Sequence, residues 1–214
     1  MELITKWLPY VLAGISVGGQ YALIAIGYTM VYGILRLINF AHGDMFMMAG
    51  LVMIYLVTVL PVWVSIIIVI AFTVVLGCTI ERVAYRPLRS APRMSIMISA
   101  IGVSYFLQNI ALYVTGGLTK TYPSIPFLQQ TVTVLGAHTK MVTVITPFLT
   151  IGLVVLLVLL INHTKIGMAM RAVSRDFETS ELMGIDINRV IAVTFVIGSF
   201  LAAVGSILFF SNYT

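Results

Sequence analysis

Residues 45–80 read MFMMAGLVMIYLVTVLPVWVSIIIVIAFTVVLGCTI, a run without a single Asp, Glu, Lys or Arg. A bilayer core about 30 Å thick is crossed by roughly 20 apolar helical residues. The run is therefore too long for one membrane span and has the right length for two. Pro61 divides it, because proline lacks an N–H group and disrupts a helix interior. The sequence predicts two transmembrane helices, near 45–60 and 62–80.

The rest of the 214-residue chain follows the same pattern. Hydrophobic residues make up 60% of it, charged residues only 9%, and the mean hydropathy is +1.09. A soluble domain carries about a quarter charged residues, so the composition excludes one. Four more continuous apolar runs, without the alternation of barrel strands, indicate helices; they lie near 7–35, 94–115, 141–161 and 190–210. We expect an all-α, polytopic membrane helix bundle with about six spans, forming one transmembrane domain over 1–214.

The distribution of cations predicts an orientation. Arginines concentrate in the gaps 81–93 and 163–189, and cytoplasmic gaps carry the excess of Lys and Arg. This rule places the N-terminus outside, although a re-entrant segment between Arg36 and Pro61 would reverse it. The cations predicted inside are Arg36, Arg82, Arg86, Arg89, Arg93, Lys165, Arg171, Arg175 and Arg189. Those predicted outside are Lys6, Lys120 and Lys140.

Several classes of function are disfavoured by the sequence. The net charge of +5 is spread over short gaps, so it does not indicate a nucleic-acid partner. One cysteine, Cys78, and three histidines support neither a disulfide nor a metal site. No Gly-Lys dipeptide occurs, so no P-loop for ATP is present. No nucleophile–base pair is evident, and we predict that the chain is not an enzyme and holds no cofactor.

Polar residues interrupt the apolar runs at Asn39-Phe40-Ala41-His42-Gly43-Asp44. Ionisable groups near the hydrocarbon are costly and usually face a cavity or a partner. One interpretation is a broken helix whose Asn39, His42 and Asp44 line a translocation path. The other is a short cytoplasmic loop, with Asp44 at the start of the next helix, where the helix dipole favours an acid.

Amide and phenol groups also lie inside two predicted spans. Gln20 and Tyr21 are in the first, and Gln108 with Asn109 in the fourth. They are candidates for contact with a polar solute. The commoner role of such groups is to hydrogen-bond neighbouring helices.

The gap 163–189 contains a predicted short helix, Ser174 to Gly184. Ser174 or Asp176 offers an N-cap, acids occupy the first turn, and Gly184 is a C-terminal stop. A cytosolic helix of this kind suits docking of a soluble partner. The alternative is a helix lying on the membrane surface.

The motifs, taken in order, carry a resemblance. QYALIAIGYTMVYG at 20–33, INFAHGD at 38–44, ERVAYRPLR at 81–89, ISAIG at 98–102 and GMAMRAV at 167–173 resemble the LivH-type permeases of bacterial branched-chain amino acid ABC importers. This resemblance implies a multi-pass permease of the bacterial cytoplasmic (inner) membrane. It also implies three kinds of partner besides membrane lipid: a second related permease, two cytosolic ATPases that hydrolyse ATP, and a periplasmic or lipid-anchored binding protein.

Within this resemblance, ETSELMG at 178–184 is similar to the Glu-Ala-Ala…Gly coupling segment of ABC importers, with Thr179 and Ser180 in place of two alanines. The candidate coupling residues are Arg171, Asp176, Phe177, Glu178, Glu181, Leu182 and Gly184. Family members continue beyond the position matching Tyr213, so we expect a fragment or a truncated gene product. Urea or short amides are alternative substrates, and a stand-alone secondary transporter is the alternative function.

Overall fold

The computed structural model describes residues 2–89, 91–123, 125–134 and 137–212. The helices, in chain order, are α1 (Glu2–Leu35), α2 (Ala41–Val57), α3 (Val62–Ile80), α4 (Arg93–Thr115), α5 (Pro126–Gln129), α6 (Met141–His163), α7 (Lys165–Arg175), α8 (Phe177–Leu182) and α9 (Ile187–Asn212). A π-helical turn (Glu81–Tyr85) and a 3-10 turn (Arg86–Leu88) extend α3. An antiparallel hairpin of β1 (Thr131–Val134) and β2 (Ala137–Lys140) precedes α6.

Five helical stretches are long and apolar enough to cross a membrane by length and composition. They are Trp7–Leu35, Val62–Leu88, Met94–Thr115, Met141–His163 and Ile187–Asn212. The sixth apolar helix, α2, has only 17 residues, or about 25 Å at 1.5 Å per residue. Helix α2 begins at Ala41, before the apolar run near 45–60 from which this helix was predicted. Pro61 is the residue before α3, and thus separates two helices as expected.

Helix α9 lies at the centre of the bundle and packs against α1, α2 and α3. Two thirds of its membrane window is buried, compared with less than a third of each of the other candidate spans. Small residues allow this close packing. A Cβ atom on Gly27 of α1 would lie 3.2 Å from the carbonyl oxygen of Gly198, and a Cβ on Gly77 of α3 would collide with Ser199.

The gap 163–189 holds two helices where the sequence predicted one. Helix α7 reaches Arg175 and α8 begins at Phe177. Asp176 separates them with an extended backbone, φ −149° and ψ 116°, and its carboxylate caps α8. The N-cap signal at Asp176 is therefore correct, while Ser174 belongs to α7.

Candidate functional site

Arg36 holds the break between α1 and α2, whereas from the sequence it served only as one of the cations that predict the orientation. Arg36 adopts φ 52°, the left-handed region that is strained for a residue with a side chain. Its guanidinium donates hydrogen bonds to the carbonyl oxygens of Ser174 (3.0 Å) and Arg175 (3.1 Å) at the end of α7. The break is thereby connected directly to the segment between α6 and α9.

Asn39 lies in this break and is 1% exposed. Its side-chain oxygen accepts a hydrogen bond of 2.9 Å from the hydroxyl of Tyr85, in the π-helical turn after α3. Its amide nitrogen has no partner among the described residues. Tyr85 lies inside one of the quoted motifs, but nothing in its local sequence indicated this contact.

His42 is also 1% exposed and lies in the first turn of α2. The Tyr28 ring contacts it edge-on, with 6.1 Å between ring centroids. The His42 ring packs against Gly27, and a Cβ atom added to Gly27 would lie 3.1 Å from the nearest ring atom of His42. Neither ring nitrogen has a hydrogen-bond partner of normal geometry in the described chain, although the backbone of Ile24 is within reach.

Asp44 and Gln108 meet between α2 and α4. The Gln108 amide donates to a carboxylate oxygen of Asp44 at 3.0 Å and to the hydroxyl of Ser104 at 3.1 Å. Asp44 is 7% exposed, whereas Gln108 is exposed. The carboxylate lies in the first turn of α2, where the helix dipole favours it. Of the two interpretations of 39–44, the loop is wrong for 41–44, which are helical, although Asp44 does lie at the start of a helix. The translocation path stays a prediction.

The other three residues predicted to contact a polar solute make contacts away from Asp44 and Gln108. The buried Gln20 donates to the carbonyl oxygen of Leu208 in α9 at 3.2 Å, which is a contact between helices. Tyr21 is 57% exposed and touches the Phe209 ring edge-on. Asn109 is exposed and donates to the carbonyl of Tyr105, one turn earlier in α4, at 2.7 Å.

The candidate coupling residues follow α7 into α8. The Asp176 carboxylate accepts from the Thr179 backbone N–H (3.1 Å) and hydroxyl (2.6 Å), and these bonds hold the pKa of Asp176 below its usual value. Gly184 adopts φ 82°, which favours glycine. Arg171 donates to Asn162 at 3.2 Å.

The exposure of the same segment differs between its two sides. Phe177 is half-buried against the main core. Glu178 and Glu181 are exposed, and Leu182 is 88% exposed. The end of α8 therefore presents an unpartnered apolar side chain next to acids within the described chain.

A charged group joins the end of α3 to the start of α9. Arg89 forms an ion pair with the buried Glu81 and donates to the side-chain oxygen of Asn188. Burial lowers the pKa of Arg89, and the adjacent Glu81 opposes that shift. Within the ranges that the structure describes, no group of three His, Cys, Asp or Glu side chains could hold a metal ion.

Comparisons with known proteins identify the family. The model of the family described as "branched-chain amino acid transport system / permease component" matches residues 10–214. The permease protein BraD of the high-affinity branched-chain amino acid transport system of Pseudomonas aeruginosa is 38% identical over 226 residues, covering 100% of this chain and 74% of that protein. LivH of Escherichia coli K12, from the system of the same description, is 38% identical over 221 residues, covering 97% and 71%.

A more distant relative extends the comparison. The xylose/arabinose import permease XylH of Sulfolobus acidocaldarius is 27% identical over 117 residues, covering 54% of this chain and 30% of that protein. No solved structure gives a significant match. The predicted polytopic membrane helix bundle is confirmed, and the chain belongs to the family of permease components of branched-chain amino acid transport systems.

Proposed function

We propose that the chain is a permease subunit of an importer that carries branched-chain amino acids across the bacterial cytoplasmic membrane. The observation that supports this most strongly is the family match over residues 10–214, together with 38% identity to BraD and LivH. Transport permeases are not enzymes in themselves. ATP would be hydrolysed by two cytosolic partner subunits, while a second permease completes the path and a periplasmic or lipid-anchored protein delivers the substrate.

The proposed translocation path includes the polar group at the start of α2. The carboxylate of Asp44 is held by one neutral donor, Gln108, on an exposed face of α4. Such a carboxylate can attract the ammonium group of an amino acid once Gln108 moves aside, because no cation of the described chain pairs with it. Asn39 and His42, just before Asp44 in the chain, also keep unsatisfied polar atoms. Tyr21 and Asn109 are both exposed, and we include them as peripheral members of the proposed path.

The proposed coupling runs through Arg36. Its two hydrogen bonds tie the strained break between α1 and α2 to the end of α7, next to the exposed α8. An ATPase docked on α8 could then displace the break, and with it the start of α2. Alternating access requires a bistable element of this kind. Helix α8 presents Glu178, Glu181 and Leu182 for that contact.

Asp44→Asn in the complete importer tests the path. We expect leucine uptake into proteoliposomes to fall at least about tenfold, since one charge-assisted contact contributes about 1.5–3 kcal/mol. Gln108→Leu should also impair uptake, whereas Asn109→Leu should have a smaller effect. The ATPase subunits must still copurify with each variant. Unchanged uptake by Asp44→Asn would remove Asp44 from the path.

Substitution of the exposed end of α8 tests the coupling. Leu182→Asp should abolish copurification of the ATPase subunits while the permease still inserts in the membrane. Leu118→Asp is a matched control, because Leu118 is 69% exposed in the gap that the positive-inside rule places on the opposite side. Equal ATPase recovery with both variants would refute docking on α8.

The substrate class is tested by competition. With wild-type importer, excess isoleucine or valine should suppress uptake of labelled leucine, and excess urea or acetamide should not. Suppression by urea would favour the short-amide alternative. Flux of leucine through the purified chain alone, driven by a gradient, would instead favour a secondary transporter.

A further inference from the structure

A second polar site lies away from the proposed path, between the end of α3 and the start of α9. It forms a half-open cavity of about 330 Å³. The charged and polar residues of this site are Glu81, Arg82, Arg86, Asp186, Asn188 and Arg189. Neither the proposed path nor the proposed coupling uses this cavity.

The cavity carries an excess of positive charge. In the part of the chain that the structure describes, the only ion pair is that of Arg89 with Glu81, so these two charges cancel. Three arginines then face one acid, Asp186, whose carboxylate is already engaged by the backbone N–H of Arg189. Arg82, Arg86 and Arg189 are exposed and lack a carboxylate partner in the described chain.

The walls of this cavity are fixed. Arg89 donates to Glu81 on one wall and to Asn188 on the other. The π-helical turn Glu81–Tyr85 widens the end of α3 at the same level. The backbone on both sides is therefore held in place, so an anion has to order only the arginine side chains that contact it.

The exposed face of α3 leads from hydrocarbon into this cavity. Val75 is 64% exposed and Val83 is 70% exposed, and Arg82 and Arg86 continue the same face. The cationic end lies where the apolar stretch Val62–Leu88 terminates, which the positive-inside rule assigns to the cytoplasm. An apolar strip that ends in unpaired arginines matches an acyl chain joined to an anionic headgroup.

We propose that this cavity binds the phosphate of an anionic phospholipid of the inner leaflet, with an acyl chain lying along Val75 and Val83. Arg82, Arg86 and Arg189 contact the phosphate oxygens. Basic pockets between transmembrane helices on the cytoplasmic side are known to bind anionic headgroups. Val75 and Val83 lie in a stretch that can face lipid, so a phospholipid reaches the arginines along them, whereas a soluble anion reaches the arginines only from water.

Native mass spectrometry of the purified chain, titrated with phosphatidylglycerol or phosphatidylcholine, tests this proposal. Wild type should bind the first phosphatidylglycerol at least about tenfold more tightly than phosphatidylcholine. Each arginine near the membrane surface contributes about fivefold in affinity, so R82Q/R86Q should weaken phosphatidylglycerol binding about thirtyfold. The matched control K165Q/R175Q removes the same charge from exposed positions outside the cavity and should bind as wild type does.

Three outcomes would overturn the proposal. The first is equal affinity of R82Q/R86Q and K165Q/R175Q for phosphatidylglycerol, with both variants matching wild type in helix content and elution volume. The second is displacement of the lipid by an excess of inorganic phosphate, which would indicate a site for a free anion. The third is loss of copurifying ATPase from R82Q/R86Q with lipid binding unchanged, which would indicate a protein-docking surface.

Discussion

Gly77→Ala is the sharpest test of the packing between α3 and the central helix. The added Cβ would lie 2.9 Å from the Cβ of Ser199 and would collide with its hydroxyl, and the Met45 sulfur is 3.4 Å away. The hydroxyl can rotate, but the Cβ of Ser199 moves only with the α9 backbone. Overpacking of this kind costs about 1–3 kcal/mol. Because rotation of the Ser199 side chain cannot move its Cβ, we expect the upper part of that range, about 2–3 kcal/mol. Alanine returns up to about 1 kcal/mol through its helix propensity, which leaves a net loss of about 1–2 kcal/mol.

The assay is thermal unfolding of the purified protein in mild detergent, followed by circular dichroism. A loss of 1 kcal/mol corresponds to about 2–4 °C for a chain of this size, so the midpoint should fall by about 2–8 °C. Gly102→Ala is the matched control, because a Cβ at Gly102 in α4 meets nothing within 4 Å. Its midpoint should stay the same or rise.

A reciprocal substitution isolates the collision from other effects. In Gly77→Ala combined with Ser199→Gly, the alanine Cβ remains, but the Cβ and Oγ of Ser199 that it would meet are gone. The changes in helix propensity at the two positions approximately cancel. The midpoint of the double variant should return close to that of wild type. If Gly77→Ala behaves like Gly102→Ala, or if the double variant is less stable than both single variants, the described packing of α3 on α9 is wrong.

Three further predictions concern the break and the coupling segment. Tyr85→Phe should lower the free energy of unfolding by about 1–3 kcal/mol in denaturant titration, because it leaves the buried Asn39 without its hydroxyl donor. Arg36→Gly should be about 1 kcal/mol more stable than Arg36→Ala in the same titration, since both lose the guanidinium but only alanine keeps the left-handed strain. The lowered pKa of Asp176 means that its cap on α8 is intact above about pH 4 and is lost as pH falls through the folded value, so the Thr179 amide shift should titrate with a midpoint below 3.8.

Each of these has a control. Tyr113→Phe removes a hydroxyl from a side chain that is 88% exposed and should leave the stability unchanged; an equal loss from both tyrosines would contradict the role of Tyr85. Alanine and glycine of equal stability at position 36 would argue against the strained backbone. In Asp176→Asn the titration of the Thr179 amide should disappear, and its persistence would assign the titration to another acid.

Local signals in the sequence predicted much of the fold. The apolar runs near 62–80 and 94–115 correspond closely to α3 and α4. Pro61 and Glu81 flank the first run, and Arg93 and Gly116 flank the second, so each boundary carries a local signal. Gly184 and Asp176 act as the stop and the cap that their residue types favour. These features depend on neighbours within about one helical turn, and for this reason a single sequence is sufficient to find them.

Contacts between distant parts of the chain were not predictable in the same way. Helix α2 begins at Ala41 and includes His42 and Asp44, where polarity suggested a break; Asp44 accepts a hydrogen bond from Gln108, 64 residues away. Arg36 reaches carbonyls 138 and 139 residues away. The hairpin 131–140 was missed because its strands have four residues each and lie in a gap with no long apolar run.

The central position of α9 has a consequence for biosynthesis. Helices α1, α2 and α3 all pack on α9, yet the ribosome makes α9 more than 100 residues after α3. The small-residue surface at Gly77, and the side of Gly27 that packs on α9, therefore face lipid, or a temporary partner, until α9 is inserted. Assembly of the bundle has to wait for this late helix, and a chaperone or insertase that shields α1–α3 during that interval would act on the same surfaces that α9 later covers.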